Sequence, residues 1–302
     1  MTHTNILLLG ANGQVGWELR RALAPLGDVT AYTRAEADLA DLEHLRTIVR
    51  VSAPHIIVNA AAYTAVDKAE SERELAWRIN AEAVAALADE AVHADAWLVH
   101  YSTDYVFDGL KRGAYEEHDT ARPLSVYGAS KLAGERAVRA ARGRYLIFRT
   151  SWVYAPRGKN FPRTMLNLAR NRDELTVVDD QVGAPTSAEL IADVTALALR
   201  HVQKVECAAG TYHLTAAGET SWYDYARLLL RKAAAKGYHL KAGAQGVLPI
   251  TSADYPTPAR RIANSRLSTD KLQTVFGLTL PPWEAGIDRF LDELPHESPE
   301  RR

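Results

Sequence analysis

A tyrosine and a lysine four residues apart, Tyr127 and Lys131, are suited by type and spacing to proton transfer. Residues i and i+4 lie on one face of a helix, so a helix that begins near Ser125 brings both side chains together. An ammonium group stabilises a phenolate, and should lower the pKa of Tyr127 from its usual value of about 10 toward the working range. Thr103, at the end of a predicted buried strand, could hydrogen-bond a carbonyl oxygen. The three residues predict a site that delivers a proton while a ketone is reduced.

A glycine-rich turn near the start of the chain supplies the context for this pair. Residues 6–9 form a short apolar strand, and Gly10, Gly13 and Gly16 follow it directly, before a predicted helix. A strand, a glycine turn and a helix N-terminus form a binding site for a dinucleotide pyrophosphate. A Tyr-x-x-x-Lys spacing also arises by chance, as packing plus a solvated charge. Its place downstream of this turn favours chemistry.

The end of the second predicted strand, residues 29–33, bears on cofactor choice. Many NAD-binding proteins place an acidic residue there, on the ribose hydroxyls. Here Thr33 and Arg34 occupy the position. The Arg34 guanidinium group could bind the 2′-phosphate of NADPH. It is equally consistent with the sequence that Arg34 is an exposed arginine in a turn with no role in binding. Asp38 and Leu39 follow and could cover the adenine.

Strands and helices alternate as far as residue 150, which predicts an α/β fold with a Rossmann-type doubly wound parallel sheet. Residues 1–152 are interpreted as the NAD(P)-binding domain, completed by segments near 180–215 and 245–265. The other segments of 153–302 are interpreted as a smaller substrate-binding domain. Helices are predicted at 161–172, 188–203, 221–236 and 282–293.

Composition excludes several classes of protein. The chain has 302 residues, of which 47% are hydrophobic and 24% charged, and its formal net charge is -1. This balance predicts neither a nucleic-acid partner nor a membrane-binding surface. The single cysteine, Cys207, precludes an internal disulfide and is typical of a reducing cytoplasm. We find no signal peptide and no apolar run of the roughly 20 residues that span a bilayer, so we expect a cytoplasmic protein.

The motifs resemble those of the extended short-chain dehydrogenase/reductase family, and longer stretches are similar to the dTDP-4-dehydrorhamnose reductases within it. These stretches are VNAAAYTAVDKAE at 58–70, HYSTDYVF at 100–107, FRTSWVY at 148–154, DQVGAPT at 180–186 and NSRL at 264–267. The resemblance implies that NADPH or NADH reduces a 4-keto dTDP-sugar. The reaction would be the last step of dTDP-L-rhamnose synthesis, which serves lipopolysaccharide O-antigen.

The resemblance also implies roles for individual residues. Tyr127 would be the proton donor, Lys131 would hold the nicotinamide ribose and tune Tyr127, and Thr103 would complete the catalytic set. The sugar nucleotide would meet Thr103, Asp104 and Trp152. The glycine turn, the end of the second strand and the resemblance together predict a cofactor site that comprises Gly10, Gly13, Gln14, Val15, Gly16, Thr33, Arg34, Asp38, Leu39, Ala62, Tyr63, Thr64, Tyr101, Tyr127 and Lys131.

Some members of the family form homodimers through a magnesium ion held by glutamates. The matching positions are Glu18, Glu189 and Glu293, which read equally well as ordinary surface glutamates. Asn80, within a predicted helix, is either a polar spot on that helix or a hydrogen-bonding support for the active site.

Two other functions remain open at this stage. Sugar-nucleotide dehydratases and epimerases share the scaffold, but the dehydratases follow the aspartate with a glutamate base, and this chain has Tyr105 there. Non-catalytic regulatory subunits also share the fold. The intact Thr103, Tyr127 and Lys131 argue against that class.

Overall fold

The computed structural model describes residues 4–203 and 208–294. Cys207 and the tail after Pro295 lie outside the described residues. The strands of the described residues are β1 (Asn5–Leu9), β2 (Asp28–Tyr32), β3 (Ile56–Asn59), β4 (Trp97–Thr103), β5 (Arg144–Thr150), β6 (Val153–Tyr154), β7 (Leu175–Val178), β8 (Val182–Gly183), β9 (Thr186–Ser187), β10 (Gly210–His213), β11 (Thr220–Ser221) and β12 (Val247–Ile250).

The α-helices of the same residues pack on both faces of the main sheet and in the second half of the chain. They are α1 (Gln14–Leu23), α2 (Leu42–Ser52), α3 (Val66–Ala69), α4 (Arg73–Trp77), α5 (Ala83–His93), α6 (Val126–Ala140), α7 (Phe161–Asn171), α8 (Ala188–Val202), α9 (Trp222–Ala235), α10 (Asp270–Phe276) and α11 (Trp283–Glu293).

A parallel sheet of six strands forms the centre, in the order β10-β5-β4-β3-β1-β2. Its inner strands are apolar on both faces because helices cover both sides. In β1, Leu8 packs against Leu19 of α1, while Leu7 faces the opposite side, where Leu45 of α2 lies. The predicted Rossmann-type α/β fold is therefore confirmed.

Local signals correctly predict most helix ends. The Ser125 side chain accepts a hydrogen bond from Gly128 N and caps α6, which begins next to the predicted position. The four helices predicted after residue 160 are observed as α7, α8, α9 and α11. Helix α10 is not predicted, and β3 ends at Asn59, although its apolar run continues to Ala62.

The predicted long helix around residues 75–87 is interrupted. A π-helical turn, Arg78–Glu82, separates α4 from α5 and places Asn80 in the interior, where it is 1% exposed. Such turns often occur at functional sites because they redirect side chains that a regular helix would place elsewhere.

The second half of the chain builds its own core, in which Leu166, Tyr225 and Phe290 meet. Strand β10, within the predicted 180–215 segment, joins the edge of the central sheet beside β5. Strand β12 pairs with β7 in a separate two-stranded sheet, so the segment near 245–265 does not add a strand to the central sheet. The division into two domains stays a prediction.

Candidate active site

Thr103, Asp104 and Tyr127 meet where β4 ends and α6 begins. The Thr103 hydroxyl donates to Asp104 Oδ1 at 2.9 Å and accepts from Tyr105 N at 3.2 Å. Thr103 also hydrogen-bonds the half-buried Tyr127 side chain. Because parallel strands end at one edge of the sheet, this cluster lies at the edge where open α/β folds bind ligands.

The pKa of Tyr127 is raised, mainly by burial and further by the Asp104 carboxylate, although the Thr103 hydrogen bond opposes both. The lowered pKa expected from the sequence is therefore wrong for this structure. The physical reason is that desolvation penalises the phenolate more than the neighbouring groups stabilise it. At neutral pH the hydroxyl group keeps its proton and is available as a donor.

The Lys131 side chain points toward the sheet and is 2% exposed. Its Nζ donates to the Tyr101 carbonyl at 2.6 Å and lies 3.3 Å from His100 Nε2. Burial lowers the pKa of Lys131 to about 8, against the opposing charge of Glu135. The pair predicted on one helical face is present, but these contacts hold the amine against β4.

Asp104 has one buried carboxylate oxygen that can take a further hydrogen bond. The residue is 3% exposed and Ser265 hydrogen-bonds its carboxyl group, while Oδ2 makes no well-aligned hydrogen bond among the described residues. Burial raises the pKa of Asp104 to about 6. A buried acceptor without a partner is costly, and a sugar hydroxyl group would satisfy it.

The glycine turn has the close backbone contacts that a dinucleotide site requires. Gly10 has φ +82°, and a Cβ there would lie 2.7 Å from Ala61 N. A Cβ on Gly16 would lie 2.0 Å from the Gly10 carbonyl oxygen. Gly13 precedes α1 and has no capping side chain. The N–H groups of the first turn, at Gln14 and Val15, therefore suit a pyrophosphate.

A loop from the second half of the chain contacts this turn, which the sequence analysis does not predict. Asn160 Nδ2 donates to Gln14 Oε1 at 2.7 Å, and the Arg157 guanidinium stacks on Trp17 at 3.5 Å from the ring centroid. The signal available in the sequence is that asparagine is a good N-cap and precedes a predicted helix.

The predicted ribose end of the cofactor site lies after β2. Thr33 donates from both N and Oγ1 to Glu36 Oε2, at 2.9 and 2.8 Å. The Arg34 side chain is 72% exposed and lies 3.4 Å from Asp38. Leu39 is buried. Arg34 is therefore accessible to a phosphate, with Asp38 as a competing partner.

Asn80 joins the loop after β3 to the catalytic helix. Its Oδ1 accepts from Tyr63 N at 2.9 Å, and its Nδ2 donates to Tyr63 O at 3.0 Å and to Ser130 Oγ at 3.1 Å. Of the loop's other predicted cofactor residues, Ala62 is half-buried and Thr64 is exposed. These bonds favour the supporting role of Asn80 over an isolated polar spot.

Tyr101, predicted on the nicotinamide side, is half-buried at the end of β4. Its hydroxyl shares a hydrogen bond of 2.8 Å with Thr195 Oγ1 on α8. The side chain is thereby held toward the face of the sheet that α1 and α8 cover.

Trp152 is half-buried and adopts φ +50°, which is unusual for a bulky residue. Its ring stacks on Trp222 with centroids 3.6 Å apart, and Trp222 Nε1 donates to Gln181 Oε1 at 3.2 Å. One face of Trp152 therefore packs against the second half of the chain. No feature of the sequence singles out Trp222.

The three predicted metal ligands line one small cavity, but in one chain they do not form a metal site. Arg289 lies 2.7 Å from Glu189 and 2.9 Å from Glu293, and Arg21 lies 3.7 Å from Glu18. Within residues 4–203 and 208–294, no group of three or more acidic, histidine or cysteine side chains is arranged to hold a metal. Each of the three carboxylates already has an arginine as its ion-pair partner.

Comparisons with known proteins assign this chain to one family. A family model described as the RmlD substrate binding domain matches residues 4–296. A dTDP-4-dehydrorhamnose reductase of Escherichia coli K12 is 53% identical, over 96% of this chain and 98% of that protein. The chain belongs to the dTDP-4-dehydrorhamnose reductase family.

Solved structures agree with this membership. The Bacillus anthracis dTDP-4-dehydrorhamnose reductase, crystallised in complex with NADP, has a TM-score of 0.86 and 34% identity, covering 97% of this chain and 100% of that one. The Clostridium acetobutylicum reductase also has a TM-score of 0.86, at 37% identity, covering 95% and 98%. A Thermus thermophilus UDP-glucose 4-epimerase, at 20% identity and a TM-score of 0.78, shares the fold.

Proposed function

We propose that this protein reduces the C4 ketone of dTDP-4-dehydro-L-rhamnose to dTDP-L-rhamnose, with hydride from NADPH or NADH. The observation that carries the proposal is one cluster at the sheet edge. It combines a protonated Tyr127, a Thr103 hydroxyl and a buried Asp104 carboxyl group whose Oδ2 makes no well-aligned hydrogen bond among the described residues, beside a turn suited to a dinucleotide. Membership of the reductase family supports the same reaction.

Each of the three residues in this cluster has a distinct task in the proposed reaction. The bound nicotinamide supplies the hydride. Tyr127 protonates the carbonyl oxygen as negative charge develops there, and its raised pKa keeps that proton in place until it is needed. The Thr103 hydroxyl, which donates to Asp104 in this structure, becomes the second hydrogen-bond partner of the oxygen when its proton turns from Asp104 toward the substrate, and Asp104 accepts a sugar hydroxyl. The protein thus contributes orientation and charge stabilisation.

Geometry argues against elimination as the main activity. Tyr105 occupies the position of the dehydratase base and packs edge-on against Tyr127, with ring centroids 5.7 Å apart. A phenol with a pKa raised to about 12 is a poor base toward a sugar. A purely regulatory subunit would have no need of the buried Lys131.

We propose NADPH as a cofactor because the exposed Arg34 can accept a 2′-phosphate, as the NADP complex of the relative from Bacillus anthracis also suggests. No step of the proposal uses Mg²⁺, because Arg21 and Arg289 pair with the glutamates that would bind it. Homodimerisation stays a prediction. Analytical ultracentrifugation in Mg²⁺ and in EDTA would test both the homodimer and its dependence on the metal, since a dimer joined by the metal must dissociate in EDTA.

The cytoplasm is the proposed location. None of the described helices is long and apolar enough to cross a membrane. The proposed partners are a dTDP-sugar and the nicotinamide cofactor, with no nucleic acid.

A product assay tests the function. The purified protein is incubated with NADPH and a panel of dTDP-4-keto sugars, and products are identified by NMR. We expect stoichiometric NADPH consumption and dTDP-L-rhamnose. Isomerised sugar without net NADPH consumption would identify an epimerase. If the protein binds NADPH but reacts with none of the sugars, the remaining interpretation is a non-catalytic regulatory subunit.

A further inference from the structure

Three buried polar side chains form a row from the sheet to the catalytic helix. Asn59 on β3 and His100 on β4 are each 1% exposed, and Lys131 on α6 is 2% exposed. Asn59 Nδ2 lies 3.4 Å from His100 Nδ1, and His100 Nε2 lies 3.3 Å from Lys131 Nζ. Buried polar groups of this kind are normally matched donor to acceptor.

The direction of the row is set at the Asn59 end. Its Oδ1 accepts from Ala61 N at 3.2 Å, so its Nδ2 is the group that faces His100. An amide nitrogen is only a donor, and His100 Nδ1 must therefore accept. Burial lowers the pKa of His100 far below its ordinary value, so the ring is neutral. Its one proton then resides on Nε2, which faces Lys131.

This tautomer suits only one protonation state of Lys131. An amine has a lone pair that accepts from His100 Nε2–H, and its own N–H donates to the Tyr101 carbonyl at 2.6 Å. An ammonium has no lone pair and would face the Nε2–H donor to donor. The other tautomer accepts from the ammonium, but it turns Nδ1–H against the amide of Asn59.

We propose that Asn59 and His100 are positioning residues that favour the amine form of Lys131, an inference that rests on the function proposed above. The charged groups around the row are few. Glu135, one turn along α6, acts in the opposite direction by favouring the ammonium. Glu135 is itself paired with Arg149, at 2.7 Å, and with Arg139.

The consequence for the reaction concerns its pH range. Burial also lowers the pKa of Lys131, to about 8. Both roles that the family resemblance implies for Lys131, holding the nicotinamide ribose and tuning Tyr127, use its positive charge. Turnover is therefore expected to decline as the pH rises past about 8, well below the value near 10.4 at which an ordinary lysine loses its charge.

The test is a titration of the Lys131 side chain itself. Heteronuclear ¹³C/¹⁵N NMR of the full-length, cofactor-free chain follows each lysine with pH, and Lys131→Arg assigns the signal. In His100→Gln the amide oxygen can accept from the ammonium. In Asn59→Asp a carboxylate can accept from His100 Nδ1–H. We expect both variants to raise the midpoint of Lys131 by about one pH unit or more.

Val99→Ala is the matched control, since Val99 is fully buried in β4 beside His100. It should lower stability and leave the Lys131 midpoint where it is in the wild type. The proposal is overturned if Lys131 titrates in the wild type like an ordinary exposed lysine, which needs no variant to fold. It is equally overturned if the midpoint is unchanged or lowered in either folded variant. Because no turnover is involved, failure of the product assay would be a separate result.

Discussion

Asn160 offers a sharp test of how the two halves of the chain cooperate in cofactor binding. Its Oδ1 accepts from Arg163 N at 3.1 Å and caps α7. Its Nδ2 donates to Gln14 Oε1 at 2.7 Å and to the carbonyls of Ala155 and Arg157, at 2.7 and 3.1 Å. The first bond caps the helix, the bond to Gln14 joins the loop to the cofactor turn, and the two carbonyl bonds lie within the loop itself.

Two substitutions separate these tasks. Asn160→Ser keeps a capping oxygen and loses every amide donor, whereas Asn160→Ala loses both. A neutral hydrogen bond contributes a net of about 0.5–1.5 kcal/mol, so losing the bond to Gln14 should raise the Kd for NADPH by about two- to tenfold in both variants. Loss of the cap should lower the free energy of unfolding by a further ~0.5–2 kcal/mol in Asn160→Ala alone.

The assays are calorimetric titration with NADPH and urea unfolding. Ser187→Ala is the control, because Ser187 caps α8 through Leu190 N at 3.1 Å and should cost stability without changing the Kd. Wild-type affinity in Asn160→Ser would refute the reasoning, since it would show that the contact between Asn160 and Gln14 does not influence the cofactor.

Three further predictions concern chemistry, cofactor choice and stability. Tyr127→Phe should bind NADPH normally and lose about 10²–10⁴-fold in turnover, the usual contribution of a general acid, and wild-type turnover would remove Tyr127 from the mechanism. Arg34→Ala should weaken NADPH more than NADH by about ten- to a hundredfold in Kd, since a charged hydrogen bond is lost; equal weakening would make Arg34 an ordinary surface residue. Glu135→Ala strands the buried Arg149, so urea unfolding should show a loss of about 3–5 kcal/mol, and a loss below about 1 kcal/mol would mean that Arg149 finds another partner. Folding lowers the pKa of Glu135, so its stabilising contribution is complete at neutral pH and is lost as the pH falls through the lowered pKa.

The sequence by itself determined the features that depend on neighbours along the chain. The apolar β1, the spacing of Gly10, Gly13 and Gly16, and the cap at Ser125 are local signals. Local propensity and close backbone approach decide them, so the fold class, the dinucleotide turn and the pairing of Tyr127 with Lys131 on one helix could be predicted.

The tertiary structure alone decided which groups meet across elements and how deeply they are buried. Asn160 and Gln14 are 146 residues apart, and His100 and Lys131 are 31 apart. Neither contact could be predicted from the periodicity of the sequence, because the residues are far apart along the chain. The raised pKa of Tyr127 is the clearest case, because proximity to a lysine in the sequence predicted the opposite direction. A pKa responds to desolvation and to the direction of each hydrogen bond, and both exist only once the sheet and its helices have packed.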